Sequence, residues 1–211
     1  MKLKFCGFRT LADVNKAKEL NIDAMGFIHF PKSKRYVDIP TIKQLTEVIP
    51  DDKEKVVIVV NPDYDMITNL ITQTQISTIQ LHGNEPLETV HFIKKSNPNI
   101  KVIKALPATD QQTLTTAIDY YKDAIDMFII DTPSKSYGGT GKVYDWEMLK
   151  TINDVNYLIA GGMNYDNIQA VASLDLAHQG YDIASGIETN NEKDMEKMTA
   201  IIKLVKGANE L

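Results

Sequence analysis

The sequence predicts a closed parallel (β/α)8 barrel, and three observations carry that expectation. Short aliphatic or β-branched runs alternate with helix-period segments along the 211 residues, as in parallel α/β folds. The runs number eight, the strand count of the barrel. Polar residues gather just past the carboxyl ends of those runs, where barrels of this kind carry their chemistry. Strands are expected at residues 3–6, 24–29, 55–60, 78–81, 101–105, 127–130, 157–160 and 181–184. Helices are expected at residues 11–20, 41–48, 64–72, 86–95, 110–121, 145–152, 164–173 and 193–206. Pro86 suits a first helical turn, and Thr10 or Asp110 can cap the amides that follow them. An open doubly wound sheet is the structural alternative, but no Gly-x-Gly-x-x-Gly follows the first strand.

The length suits one barrel domain over residues 1–211. A formal charge of −5 argues against a general nucleic-acid binder, which needs a concentrated excess of lysine and arginine. An anionic ligand must therefore be held locally. No apolar run approaches the length that crosses a bilayer, and no membrane association is expected. The start Met-Lys-Leu-Lys-Phe leads into a strand without the apolar stretch of a signal peptide, and the one cysteine permits no internal disulfide. Both features point to a cytoplasmic chain. The ligand expected is a small phosphorylated molecule, and monomer and homodimer both stay open.

Taken in order, the strand ends present a set of polar groups that a packed scaffold does not need. Cys6 closes the first strand beside Gly7. Strand alternation puts Lys2, Lys4 and Cys6 on one face, so a neighbouring ammonium would favour the thiolate. A free cysteine also commonly packs as a small hydrophobe, which is the alternative for Cys6. After the second strand comes Lys32-Ser33-Lys34-Arg35. Such basic runs are usually solvated, yet the Arg35 guanidinium can pair with a carboxylate as lysine cannot. His82 follows the fourth strand and is either a hydrogen-bonded structural residue or a supporting ligand contact.

Asp131 ends the run Met127-Phe128-Ile129-Ile130, where burial among apolar side chains would make it a usable proton donor near neutrality. A simple Asp-Thr-Pro turn is the alternative. A thiolate base and a carboxylic acid facing each other across a ligand could move a proton from carbon while a ring oxygen is released, which is isomerase chemistry. The loop Tyr137-Gly138-Gly139-Thr140-Gly141 is a lid, a ligand cradle with Gly139 touching substrate, or a simple turn. Gly161-Gly162 and Ser185-Gly186 follow the seventh and eighth strands, where barrels commonly bind phosphate through backbone amides. Lys4 is expected to be held inside the barrel by Asp182, because a buried charge needs a partner.

These motifs, in this order, resemble the phosphoribosylanthranilate isomerases of the tryptophan pathway over nearly the whole chain. The matching pieces are Lys4-Phe5-Cys6-Gly7, Gly26-Phe27, Ser33-Lys34-Arg35-Tyr36 and Gln80-Leu81-His82-Gly83. They continue with Asp131-Thr132, Gly138-Gly139-Thr140-Gly141, Asp145-Trp146, Ala160-Gly161-Gly162, Asn167, and Asp182 with Ser185-Gly186-Ile187-Glu188. The resemblance implies an Amadori rearrangement of N-(5-phosphoribosyl)anthranilate, without cofactor or metal. It implies that Asp131 protonates the furanose oxygen, Cys6 removes the proton on the second sugar carbon, and Arg35 holds the anthranilate carboxylate. Gly161, Gly162, Ser185 and Gly186 would hold the phosphate. Two positions depart from the family pattern: Asn191 stands where a glycine is usual, and Ala184 where a serine is frequent. A metal-dependent ketopentose-phosphate epimerase on the same fold, or a non-catalytic barrel binding phosphorylated ligands, are the other readings. The first would want a His-x-Asp after the second strand, and the chain has His29-Phe30-Pro31.

Overall fold

A computed structural model describes residues 1–131 and 146–207. Its eight parallel strands close into a barrel in sequence order. They are β1 (Lys2–Cys6), β2 (Ala24–Ile28), β3 (Glu54–Val59), β4 (Thr78–Leu81), β5 (Lys101–Pro107), β6 (Met127–Asp131), β7 (Tyr157–Ala160) and β8 (Gly180–Ile183). The helices are α1 (Leu11–Ala17), α2 (Ile39–Glu47), α3 (Tyr64–Gln73), α4 (Leu87–Ser96), α5 (Gln111–Tyr121), α6 (Tyr165–Ala172) and α7 (Met195–Lys206). The (β/α)8 barrel expected from the sequence is the fold observed.

Strand alternation sorts the apolar residues into two layers. On β3, Val56 and Ile58 join Cys6, Ala24, Ile103, Ala105, Ile129, Leu158 and Ala160 inside the barrel. Val57 and Val59 face outward into the larger layer between strands and helices, with Phe5, Phe27 and Ile130. Cys6 therefore points into the barrel interior, at the rim formed by the strands' carboxyl ends. Capping side chains set the helix starts: Thr10, Asp38, Asp63, Asp110, Asn164 and Asp194 each accept a backbone N–H from the first turn that follows.

Several element ends depart from the sequence expectations by one to three residues, and three departures have a local cause. Pro86 lies one residue before α4 rather than within its first turn, with an extended ψ of 165°. The helix expected over residues 145–152 is, where described, a 3-10 helix at Trp146–Thr151. There the Thr151 hydroxyl and the Asn153 amide bond back to the carbonyls of Met148 and Lys150, competing with the α-helical ladder. The last helix starts two residues later than expected because Lys193 belongs to a hairpin of β9 (Glu188–Thr189) and β10 (Glu192–Lys193). Its turn residues Asn190 and Asn191 have φ of 53° and 63°, the left-handed pair that a two-residue type I′ hairpin needs. Asparagine thus supplies at position 191 the left-handed geometry that glycine adopts freely.

At the opposite end of β7 and β8, Tyr157, Tyr181 and His178 pack together, and burial pushes both phenols up to about 12. Burial also pushes the His178 imidazole down from its ordinary 6.5. The unfolded chain then takes up that proton before the folded one, so stability is expected to be lost as pH falls below about 6.5. Thermal melts of wild type and His178→Phe across that window check this. Equal acid losses in the two proteins would refute it.

Candidate active site

The rim at the carboxyl ends of the strands is built around Cys6. The thiol side chain is in register with Gly26 on β2, and a Cβ added at Gly26 would stand 2.8 Å from the Cys6 Sγ and 3.2 Å from the Lys4 Nζ. The missing methyl group is what leaves room for sulfur and ammonium side by side. The Gly26 carbonyl accepts the N–H groups of Gly7 and Phe8 at 2.9 and 3.1 Å, which turns the chain out of β1. Gly7 supports this turn with a φ of 83°.

Lys4 is fully buried and its Nζ donates to Asp182 Oδ1 at 2.8 Å, the pair expected from the sequence. Its charge is kept, with the Asp182 carboxylate offsetting desolvation. The thiol behaves differently from the expectation. Burial pushes Cys6 above the ordinary thiol range, and the attraction of Lys4 and Lys193 for the thiolate only partly offsets it. The Lys4 ammonium two residues away favours the thiolate but does not outweigh burial. At 6% exposure, desolvation is the larger effect.

Arg35 is brought beside Cys6, but its fork is already occupied. Its Nε and Nη2 donate to the Glu188 carboxylate at 2.9 and 2.5 Å, in a bidentate clamp that holds the guanidinium firmly charged. The aliphatic arm crosses Gly7, where an added Cβ would meet the Arg35 Cδ at 2.5 Å. Glu188 also accepts from Lys193 Nζ at 2.8 Å, and the same ammonium donates to the Cys6 carbonyl at 2.6 Å. Glu188 and Lys193 carry no role in the sequence reading. Glu188 stood in the quoted Ser-Gly-Ile-Glu motif, but its partner lies 153 residues away.

Across the barrel, Asp131 follows the inward Ile129 by two residues and so faces the interior. His82 Nε2 lies 3.4 Å from Asp131 Oδ2, reaching past β5. On its other side the Gln80 amide lies 3.4 Å from His82 Nδ1. The apolar burial expected around Asp131 is not present: 37% of its side chain is exposed. The run before it alternates, so Phe128 and Ile130 cover the outer layer rather than the carboxylate. The loop carrying His82 is fastened from below. Glu85 accepts the N–H groups of Asn61 and Gly83 at 2.9 and 2.8 Å and pairs with the buried Lys104 at 2.8 Å. Breaking such a buried pair costs about 3–5 kcal/mol.

Between β7 and β8, Gly161 and Gly162 adopt φ of 84° and 66°. The Asn167 side chain donates to the Gly162 carbonyl at 2.8 Å. The turn Ser185–Ile187 packs so closely on the β7 loop that a Cβ at Gly186 would lie 2.0 Å from the Met163 carbonyl oxygen. Gly162, Asn164, Tyr165, Ser185, Gly186 and Lys197 line a groove of about 420 Å3. The structure therefore brings Gly162, Ser185 and Gly186 to one groove, with Gly161 adjoining, and His82 to Asp131. Gly139, with the loop around it, lies outside the described residues. Among the described residues no group of three or more His, Cys, Asp or Glu could hold a metal ion, and no helix is long and apolar enough to cross a membrane.

The family profile described as N-(5'phosphoribosyl)anthranilate (PRA) isomerase matches residues 3–204, and the chain belongs to that family and is an enzyme. It is 54% identical over 210 residues to the N-(5'-phosphoribosyl)anthranilate isomerase of Staphylococcus aureus strain MRSA252, covering 100% of this chain and 99% of the relative. Among solved structures, the phosphoribosyl anthranilate isomerase of Thermotoga maritima is 29% identical with a TM-score of 0.83, over 98% of this chain and 99% of that one. A crystal structure of a phosphoribosyl anthranilate isomerase with reduced 1-(o-carboxyphenylamino)-1-deoxyribulose 5-phosphate is 27% identical, with the same TM-score and coverage.

Proposed function

We propose that the chain catalyses the Amadori rearrangement of N-(5-phosphoribosyl)anthranilate to 1-(2-carboxyphenylamino)-1-deoxyribulose 5-phosphate in tryptophan biosynthesis. Family membership supports the reaction, and one observation supports the assignment of roles: Cys6 and Asp131 both face the interior at the rim, on β1 and β6. The Asp131 carboxyl group gives its proton to the furanose oxygen as the bond from that oxygen to the first sugar carbon breaks. The amine lone pair closes the iminium double bond. The Cys6 thiolate then takes the proton from the second sugar carbon, whose bonding pair neutralises the iminium and leaves an enolamine. Tautomerisation of the enolamine to the ketone completes an isomerisation with no net gain or loss of atoms or electrons.

This sequence asks the acid to carry its proton while the buried thiol has lost its own. Ammonium groups at Lys4 and Lys193 work against the burial that opposes thiolate formation. The glycine-lined groove at β7 and β8 supports a phosphate subsite built from Gly161, Gly162, Ser185 and Gly186. Gly139, from the glycine-rich sequence motif, is a further proposed substrate contact. A cytoplasmic enzyme fits a chain whose one cysteine is kept as a free thiol within the site.

The assay is turnover of freshly made phosphoribosylanthranilate, read as loss of its fluorescence and unaffected by a chelator. Absence of turnover by the folded protein would overturn the reading. In the same assay Arg35→Ala is expected to raise KM about ten- to hundredfold, the worth of a charge-assisted fork on a carboxylate, with a smaller change in kcat. An unchanged KM would remove Arg35 from carboxylate recognition.

A further inference from the structure

We infer that Glu188 and Lys193, carried by the β9–β10 hairpin, are positioning residues: a single clamp aligns the Arg35 fork for the ligand's carboxylate and anchors the strand end that presents Cys6. The inference rests on the isomerase reading above and adds to it the source of the site's charge balance. Lys193 has a fully buried ammonium with three engagements, the Cys6 carbonyl at 2.6 Å, Glu188 at 2.8 Å and the face of Phe8 at 5.2 Å from the ring centre. The hairpin is itself fixed to α1, because the Lys193 N–H donates to Asp13 at 3.0 Å and Lys16 donates to the Lys193 carbonyl at 2.9 Å. Neither residue reaches the substrate in this scheme; each acts through a neighbour.

The charges around the thiol can be counted. Lys4 and Asp182 cancel on one side. On the other, Arg35 and Lys193 share the single Glu188 carboxylate, leaving one positive charge in excess next to Cys6. That excess suits a thiolate or a bound carboxylate, and Glu188 meters it. In the clamp Glu188 engages Nε and Nη2 of Arg35, so the remaining Nη1 edge is what it offers to a ligand. A purely architectural ion pair would make no such distinction, since replacing a buried pair with apolar groups is often neutral.

The test uses the fact that Cys6 is the chain's one cysteine. Thiolate absorbance is followed against pH with Cys6→Ala as the blank, a readout that needs no turnover and stands even if the isomerase reading fails. Lys193→Met removes the cation and is expected to move the thiol titration upward, and Lys193→Arg to restore it. Glu188→Gln removes the anion and is expected to move it downward. In turnover, Glu188→Gln should raise KM about tenfold through the loosened fork, whereas Lys193→Met should lower kcat with KM nearly unchanged. Circular dichroism checks that each variant is folded. Shifts in the same direction, or no shift in either variant, overturn the proposal. If Lys193→Met does not fold, Glu188→Gln decides alone: a downward shift supports the clamp and an unmoved titration overturns it.

Discussion

Cys6→Ala is expected to lower kcat by about 10²-fold or more, the usual worth of a general base, while affinity for a product analogue is retained. The substitution removes one sulfur from a space already trimmed by Gly26, and the flanking Lys4–Asp182 pair does not depend on that atom, so the barrel should persist. A companion result concerns pH. Because burial raises the thiol, the thiolate is the minor form at neutrality, and the Cys6 absorbance titration should lie above the ordinary thiol range. Steady-state kinetics and thiolate absorbance over a pH series measure the two. Wild-type turnover in Cys6→Ala would remove the base, and a titration inside or below the ordinary thiol range would show that the ammonium groups outweigh burial.

Asp131→Asn should have a comparable effect, about 10²-fold or more on kcat, because an amide keeps the shape but cannot deliver a proton to the departing ring oxygen. The residue is more than a third exposed and its backbone carbonyl, which accepts from Ala108 at 3.0 Å, is untouched by the change. Stability should therefore stay within about 0.5 kcal/mol of wild type. Single-turnover measurements separate the chemical step from binding. Full activity in the folded variant would transfer the acid role elsewhere.

Much of this architecture was legible in the chain because it is written locally. Short aliphatic runs gave the strand positions, alternation on β1 gave the shared face of Lys4 and Cys6, and the side chains of Thr10 and Asp110 marked helix starts within one residue. The rim set was legible for the same reason, since a strand end is a local event. The Lys4–Asp182 pair could be anticipated because a lone buried ammonium is untenable. What escaped was relational. Nothing near Arg35 announces a carboxylate 153 positions later, and nothing near Cys6 reveals that desolvation outweighs an adjacent ammonium. The exposure of Asp131 escaped as well, because an apolar run tells which strand is buried and not how the last residue meets solvent.

The hairpin between the eighth strand and the last helix has a bearing on biosynthesis. The reactive sulfur leaves the ribosome almost at once, yet Asp182 and Lys193 trail their contacts with β1 by 178 and 187 positions. A nascent polypeptide thus holds its thiol for nearly the whole of translation without the counter-charges that tame it, and the seam joining first unit to last is stitched only as synthesis finishes. Premature termination just past β8 would leave every reactive group in place on a molecule that cannot yet hold them in order.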